Sequence, residues 1–280
     1  MYAEDTKLYK SVTSICDCQS LQTTLGNLNS WSKHNRIKFS TSNCKSLTVT
    51  RKKSPLVHKY TLDSAQLERV STEKDLGVHI TSSLSWKPHI HAITAKANKL
   101  LGLLKRTCPL ITDVTARRTL YLSLVKSQLC YATQVWSPAQ VTLKAQVERV
   151  QRRATRWILQ TRVGEISYKD GLIKLDLLPL CYDRELKDLS FFYKCLYNYF
   201  DLNVHCFVDF ISHGRTRFSN SLNLKTPICR TSTFQASYFN CIVKLWNFTC
   251  SVLPSTRFDN PGSFRESVRN VMLSLSKNYI

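Results

Sequence analysis

Met1-Tyr2-Ala3-Glu4-Asp5-Thr6-Lys7-Leu8-Tyr9 sets two adjacent carboxylates between short apolar and aromatic flanks. With a strand on either side, Glu4 and Asp5 sit at a hairpin tip, and Lys7 to Val12 form the outgoing strand. Carboxylates so presented suit magnesium, which prefers a few carboxylates plus substrate phosphates to an all-protein cage. Phosphoryl transfer on two metal ions about 4 Å apart uses such a clamp. An acidic pair in a turn is equally well read as a solvated corner, so the residues downstream decide.

Composition bounds what they can build. A chain of 280 residues with 43% hydrophobic content is long enough for a sizeable core and too apolar for wholesale disorder. Only 7 glycines and 8 prolines leave few obligatory turns, which favours long helices over a many-stranded sandwich. The 40 Lys and Arg against 19 Asp and Glu give a formal +21, and this asks for an anionic partner, nucleic acid before membrane. No signal-peptide pattern opens the sequence and no apolar run reaches the length of a membrane span; an intracellular protein with no membrane partner is expected. The 11 cysteines run as Cys16-x-Cys18 and then as scattered singles, with no C-x2-C pair to begin a zinc module. They read as reduced, small, buried hydrophobes. His89-x-His91 reads as a solvated helix start rather than a ligand pair.

Outward from the acidic turn, Asp17 is placed to cap a helix whose Leu21, Leu25, Leu28 and Trp31 form a core stripe at helical spacing. Arg36-Ile37-Lys38-Phe39 and Ser46-Leu47-Thr48-Val49-Thr50 alternate as strands. Tyr60-Thr61-Leu62 and Leu67-Glu68-Arg69-Val70 bracket Asp63-Ser64-Ala65-Gln66 as a hairpin connection. A strand is expected over residues 76–80, where Gly77 either lets another backbone approach or marks an ordinary bulge.

Residues 87–162 change character, with 14 Lys and Arg against 2 acids, a net +12. Ile90, Ile93, Ala97, Leu100, Leu101 and Leu104 mark one amphipathic helix. A second starts at the cap Asp113 and runs through Leu120, Tyr121, Leu124 and Val125 toward Trp136. A third follows Ser137-Pro138 and places Leu143, Val147, Val150, Ala154 and Trp157 on one face. Arg149, Arg152, Arg153 and Arg156 fall on another side, within about 100° of one another. Such a ridge is often only a solvated face; here scarcely any acids balance it, which favours phosphate contact. Beyond Gly164 the acids return, an aromatic-rich helix is expected from Tyr182 to Phe200, and Phe258 to Leu275 close the chain as a short amphipathic helix.

In this order, the stretches resemble the reverse transcriptase of LINE-type, non-LTR retrotransposons. Tyr2-Ala3-Glu4-Asp5 is similar to that family's catalytic turn. Leu76-Gly77-Val78, followed by Leu84-Ser85-Trp86-Lys87-Pro88-His89, is similar to its primer-grip hairpin. Lys174-Leu175-Asp176-Leu177-Leu178-Pro179-Leu180 resembles the stretch after the thumb, and Val243-Lys244-Leu245-Trp246-Asn247 a recurrent C-terminal pattern. The resemblance spans Tyr2 to about Met272 and covers only the second half of such an enzyme. The fingers and the other metal-binding aspartate would precede residue 1.

The resemblance implies an α+β, predominantly α fold. A truncated palm of short antiparallel hairpins plus a helix would occupy residues 1–60, and a primer-grip-like hairpin with Leu76, Gly77 and Val78 residues 61–86. A basic three-helix thumb would span 87–162 and a helical post-thumb region 163–280. Magnesium would be held by Glu4 and Asp5, and the partner would be an RNA or DNA primer–template duplex. Lys96, Lys99, Lys105, Arg106, Arg149, Arg152, Arg153 and Arg156 would bind it. Two positions depart from the family: Glu4 stands where it has aspartate, and Asn43 where it has a lysine that assists pyrophosphate departure. A misplaced carboxylate costs about a hundredfold in rate per ångström. Lys45, two residues along the same strand face, is the candidate replacement for that lysine. The expectation is therefore a fragment of an RNA-directed DNA polymerase that holds duplex and does not polymerise alone. The alternative is a non-catalytic nucleic-acid-binding or protein-interaction helical module derived from such an element.

Overall fold

Ser14 opens the first helix, α1 (Ile15–His34), in the computed structural model, which describes residues 6–211, 223–253, 258 and 260–276. The chain divides into two units, Met1–His89 and Ile90–Ile280. Asp17 is not the cap of α1 but its third residue: the Ser14 hydroxyl accepts from the Asp17 N–H at 3.3 Å, and Asp17 Oδ2 accepts from the Ser14 N–H at 2.9 Å. Ser-x-x-Asp satisfies two orphan donors reciprocally, which an isolated Asp cap cannot do. Further bonds from Thr13 to the same oxygen hold the Asp17 carboxyl far below the usual carboxylate range.

The expected core stripe of α1 is only half-buried at Leu21, Leu25 and Leu28, and Trp31 is 49% exposed. What fastens the helix is Gln22, whose amide accepts from the Thr61 N–H at 2.9 Å and donates to the Thr61 carbonyl at 2.9 Å. Gln22 thus pairs with strand β2 as a neighbouring strand would.

Three two-stranded ladders make up the rest of this unit. β1 (Lys45–Leu47) lies parallel to β4 (Glu68–Val70); β2 (Thr61–Leu62) and β3 (Ala65–Gln66) form one hairpin, β5 (Thr72–Asp75) and β6 (Val78–Thr81) another. Asp63-Ser64 and Leu76-Gly77 are the two-residue turns, all four with positive φ as a type I′ turn demands. Leu76 is therefore a turn residue and not the start of the strand expected over 76–80. Residues 7–12 and 36–39 form no strand, and neither do 48–50 beyond the end of β1. Alternating side chains do not make a strand where no neighbour takes the backbone groups.

The second unit is helical, continuing α2 (Lys87–Thr107) from Ile90 onward. Asp113 caps α3 (Val114–Leu120), accepting from the Ala116 N–H at 2.7 Å as its position predicts. The helix passes through a π-helical stretch, Tyr121–Lys126, into α4 (Ser127–Leu129). It stops short of Trp136, which is buried in the turn beyond. Then come α5 (Val141–Leu159), α6 (Tyr168–Lys174), α7 (Leu180–Leu196), α8 (Ser232–Gln235), α9 (Tyr238–Val252) and α10 (Pro261–Ser276).

Leu143, Val147, Val150 and Ala154 of α5 are buried, as their spacing predicts. Trp157 is only half-buried, with the Arg117 guanidinium 5.3 Å above its ring, and Ile158 takes the core position. The helix α7 packs on α5, α9 and α10. Its Phe192 meets Trp246 edge-on at 5.1 Å, and its Tyr193 stacks on Phe264 at 4.2 Å. Each such aromatic, fully buried, contributes about 1.5–3 kcal/mol. Asn247, beside Trp246, donates to the Leu224 carbonyl and accepts from the Leu224 N–H, both at 2.8 Å.

Candidate functional site

The arginines of α5 lie on the face opposite its buried stripe. Arg149, Arg152 and Arg153 are exposed and Arg156 is half-exposed. Arg152 lies over the Tyr168 ring at 4.7 Å, on the α6 side, so an aromatic face holds its guanidinium flat. On the α2 side, Arg153 donates to Asn98 Oδ1 at 3.0 Å, and Gln146 donates to Thr94 Oγ1 at 2.9 Å. Arg156 donates to the Arg152 carbonyl at 3.3 Å. The ridge thus extends across α5 from α2 to α6.

The four cations expected on α2 do not share one surface. Lys105 comes beside Arg156 and Arg153: burial, then those two charges, hold its ammonium below the ordinary lysine range. Thr94 and Asn98, which bond α5, stand within about 20° of Lys105 around the helix at 100° per residue. Arg106 is turned about 100° from Lys105, Lys99 about 120° and Lys96 about 180°. Lys105 therefore joins the α5 ridge, Arg106 and Lys99 edge it, and Lys96 lies on the other flank of the helix.

Among the described residues none of these eight cations forms a salt bridge. The two acids of residues 87–162 have other roles. Asp113 caps α3, and Glu148 turns inward, accepting from the Leu180 N–H at 3.0 Å and from the Tyr168 hydroxyl. Burial raises the Glu148 carboxyl above its usual range in spite of those donors. Not every basic residue of the stretch faces solvent, however. Arg117 donates to the Trp157 carbonyl at 2.6 Å, Arg118 to the Leu175 carbonyl at 2.7 Å, and Lys126 pairs with the buried Asp183 at 2.8 Å. Their absence from the ridge leaves Lys105, Arg149, Arg152, Arg153 and Arg156 as one cationic surface without an acid inside it.

The remaining candidate residues stand apart. Glu4 and Asp5, with the magnesium expected there, lie outside the described residues. Among the described residues no three His, Cys, Asp or Glu side chains converge as metal ligands. Lys45 opens β1 and pairs with Glu73 at 3.5 Å, so its ammonium already has a carboxylate partner. Gly77, at φ 86, completes the β5–β6 turn with the half-exposed Leu76, and Val78 is buried at the start of β6. No helix among the described residues is long and apolar enough to cross a membrane. No family model, curated protein or solved structure matches the chain.

Sequence reasoning missed Tyr168 and Asn98, the two residues that orient the ridge. Tyr168 directly follows Ser167, whose hydroxyl accepts from the Asp170 N–H as the cap of α6. That cap signal locates the helix start, but nothing local says that an arginine 16 residues earlier will lie on the ring.

Proposed function

We propose that the chain binds a nucleic-acid duplex through the α5 ridge and Lys105, as the C-terminal part of a LINE-type reverse transcriptase that does not polymerise alone. Stated in that family's terms, the first unit is a palm remnant with a primer-grip hairpin at β5–β6, and α2 to α5 are the thumb. The observation that carries the reading is a row of exposed arginines with no acid set against it, while both acids of residues 87–162 serve the fold. Uncompensated like charges on one surface repel until an anion joins them, and phosphates spaced along a backbone are the anion a helical row fits. The order of motifs along the sequence supplies the family.

A salt titration tests it. Replacing Arg149, Arg152, Arg153 and Arg156 with Gln keeps helix propensity and most of the stem length. Each lost phosphate contact should flatten the slope of log affinity against log salt by about 0.9, so the four together give up to roughly 3 to 4. Binding to unrelated sequences should weaken alike, since phosphate contacts do not read bases. Thermal stability should hardly move, because Leu143, Val147, Val150 and Ala154 are untouched. An unchanged slope accompanied by a large loss of stability would remove nucleic acid from this surface.

A further inference from the structure

A second cationic site lies at the C-terminal end of α1, and nothing in the duplex-binding reading uses it. There a cleft of about 260 Å³ opens between α1, the segment after it and β2; Lys33, Arg36 and Lys38 line it, with Asp63 at its edge. Ile37, Phe39 and the buried Leu62 supply an apolar wall. Lys33 pairs with Asp63 at 2.7 Å, and bonds from Lys33 and Asn29 hold that carboxyl below its ordinary range. Among the described residues Arg36 and Lys38 form no salt bridge. Three cations and one carboxylate leave the cleft at +2, and a phosphomonoester carries about −1.5 to −2 at neutral pH.

The backbone places one of those charges deliberately. Asn35 is the C-cap of α1, the Arg36 N–H donates to the Lys33 carbonyl at 3.2 Å and the Ile37 N–H to the Ser32 carbonyl at 2.9 Å. This is a Schellman motif, whose left-handed position glycine normally fills. Arg36 holds it at φ 56, a conformation that costs an L side chain about 1 kcal/mol or more. An arginine kept where glycine would be more stable, at the rim of a cleft with a net positive charge, is a side chain retained for its charge.

We infer that this cleft binds a phosphomonoester carried on a planar or apolar body, its phosphate on Arg36 and Lys38 and its body against Phe39 and Leu62. Both a free mononucleotide and the 5′-phosphate end of a strand present that chemistry. A cleft of this size is at the small end for ligand sites, which suits one nucleotide and no more.

Calorimetric titration of the full chain with adenosine 5′-monophosphate is the direct test. Saturable binding is expected, at least tenfold weaker for adenosine and at least tenfold weaker in the Arg36→Gln, Lys38→Gln double variant. Arg36→Gly separates binding from folding: it should weaken the nucleotide while leaving the thermal midpoint equal or higher. The α5 variant carrying four Gln should keep full affinity for the nucleotide, so this site and the duplex surface stand or fall separately. In that variant, a preference for a 5′-phosphorylated over an unphosphorylated oligonucleotide would name the strand end as the ligand. Equal binding of the two, with the nucleotide still bound, would name the free nucleotide. No saturable binding, unchanged affinity in the double variant, or loss of nucleotide in the α5 variant would overturn the site.

Discussion

Asp188 on α7 shows how much one interior residue sets the acid–base behaviour of the fold. Its carboxyl accepts from Thr133 Oγ1 at 2.8 Å, yet burial pushes it up to about 6 against the pull of Thr133 and Arg184. A carboxyl raised on folding binds its proton more tightly in the native state than in the unfolded chain. The stabilisation is thus full below about pH 4 and is lost as pH rises through about 6. Asp188→Asn retains an acceptor for Thr133 and does not ionise. Urea unfolding should show the variant more stable by about 1–3 kcal/mol near neutral pH and no more stable than wild type at about pH 4. Equal gains at both would mean that the buried carboxyl is not what the substitution relieves. The α5 arginines were legible at this scale because 3.6-residue periodicity separates them from Leu143 and Val147 within a single helix. Their orienting partners were not: Asn98 lies 55 residues from Arg153, and only the packing of α2 beside α5 joins them.

At the scale of elements, the β5–β6 hairpin turns on Leu76-Gly77, with φ 43 and 86. The left-handed region suits Asn far better than a bulky leucine, and Asn-Gly is the dipeptide that type I′ turns favour. Leu76→Asn should therefore raise stability by about 0.5–1 kcal/mol, while Gly77→Ala should lower it by at least about 1 kcal/mol. Chemical denaturation of both variants checks the pair; a stable Gly77→Ala protein would mean that the turn rearranges without cost. Turn chemistry and helix caps were readable from local residue types, as the cap at Asp113 and the helices α5, α7 and α10 illustrate. Strands were less so. Arg36-Ile37-Lys38-Phe39 alternates as well as any strand in the chain, but the helix before it ends in a left-handed turn that aims the segment elsewhere. Leu21, Leu25, Leu28 and Trp31 have helical spacing, but the sequence does not say how little of their surface another layer will cover.

For the whole molecule the dominant quantity is the formal charge of +21, borne by a fold whose acids are in good part drawn inward or engaged in caps and pairs. Added salt screens self-repulsion and phosphate attraction together, over a Debye length that falls from about 14 Å at 0.05 M to about 4 Å at 0.5 M. Over that range the thermal midpoint should rise by a few degrees while duplex affinity falls, and a calorimetric scan beside a binding curve reads both. A midpoint that falls with salt would show that the surface cations stabilise the fold through ion pairs. Each unit also carries one side chain in an unusual office. Gln22 meets the backbone of Thr61, and Asn247 that of Leu224, with one donor and one acceptor each. A primary amide is the smallest piece of side chain that can read a peptide group from both sides at once. Hydrolysis of that amide keeps the shape of the residue and reverses half its meaning: the acid still receives the N–H, but now turns a second acceptor toward the carbonyl. Asn247 is accordingly a position at which the chain can age chemically, losing the attachment of Leu224 to α9 without any change in the genes or in the bulk of the side chain.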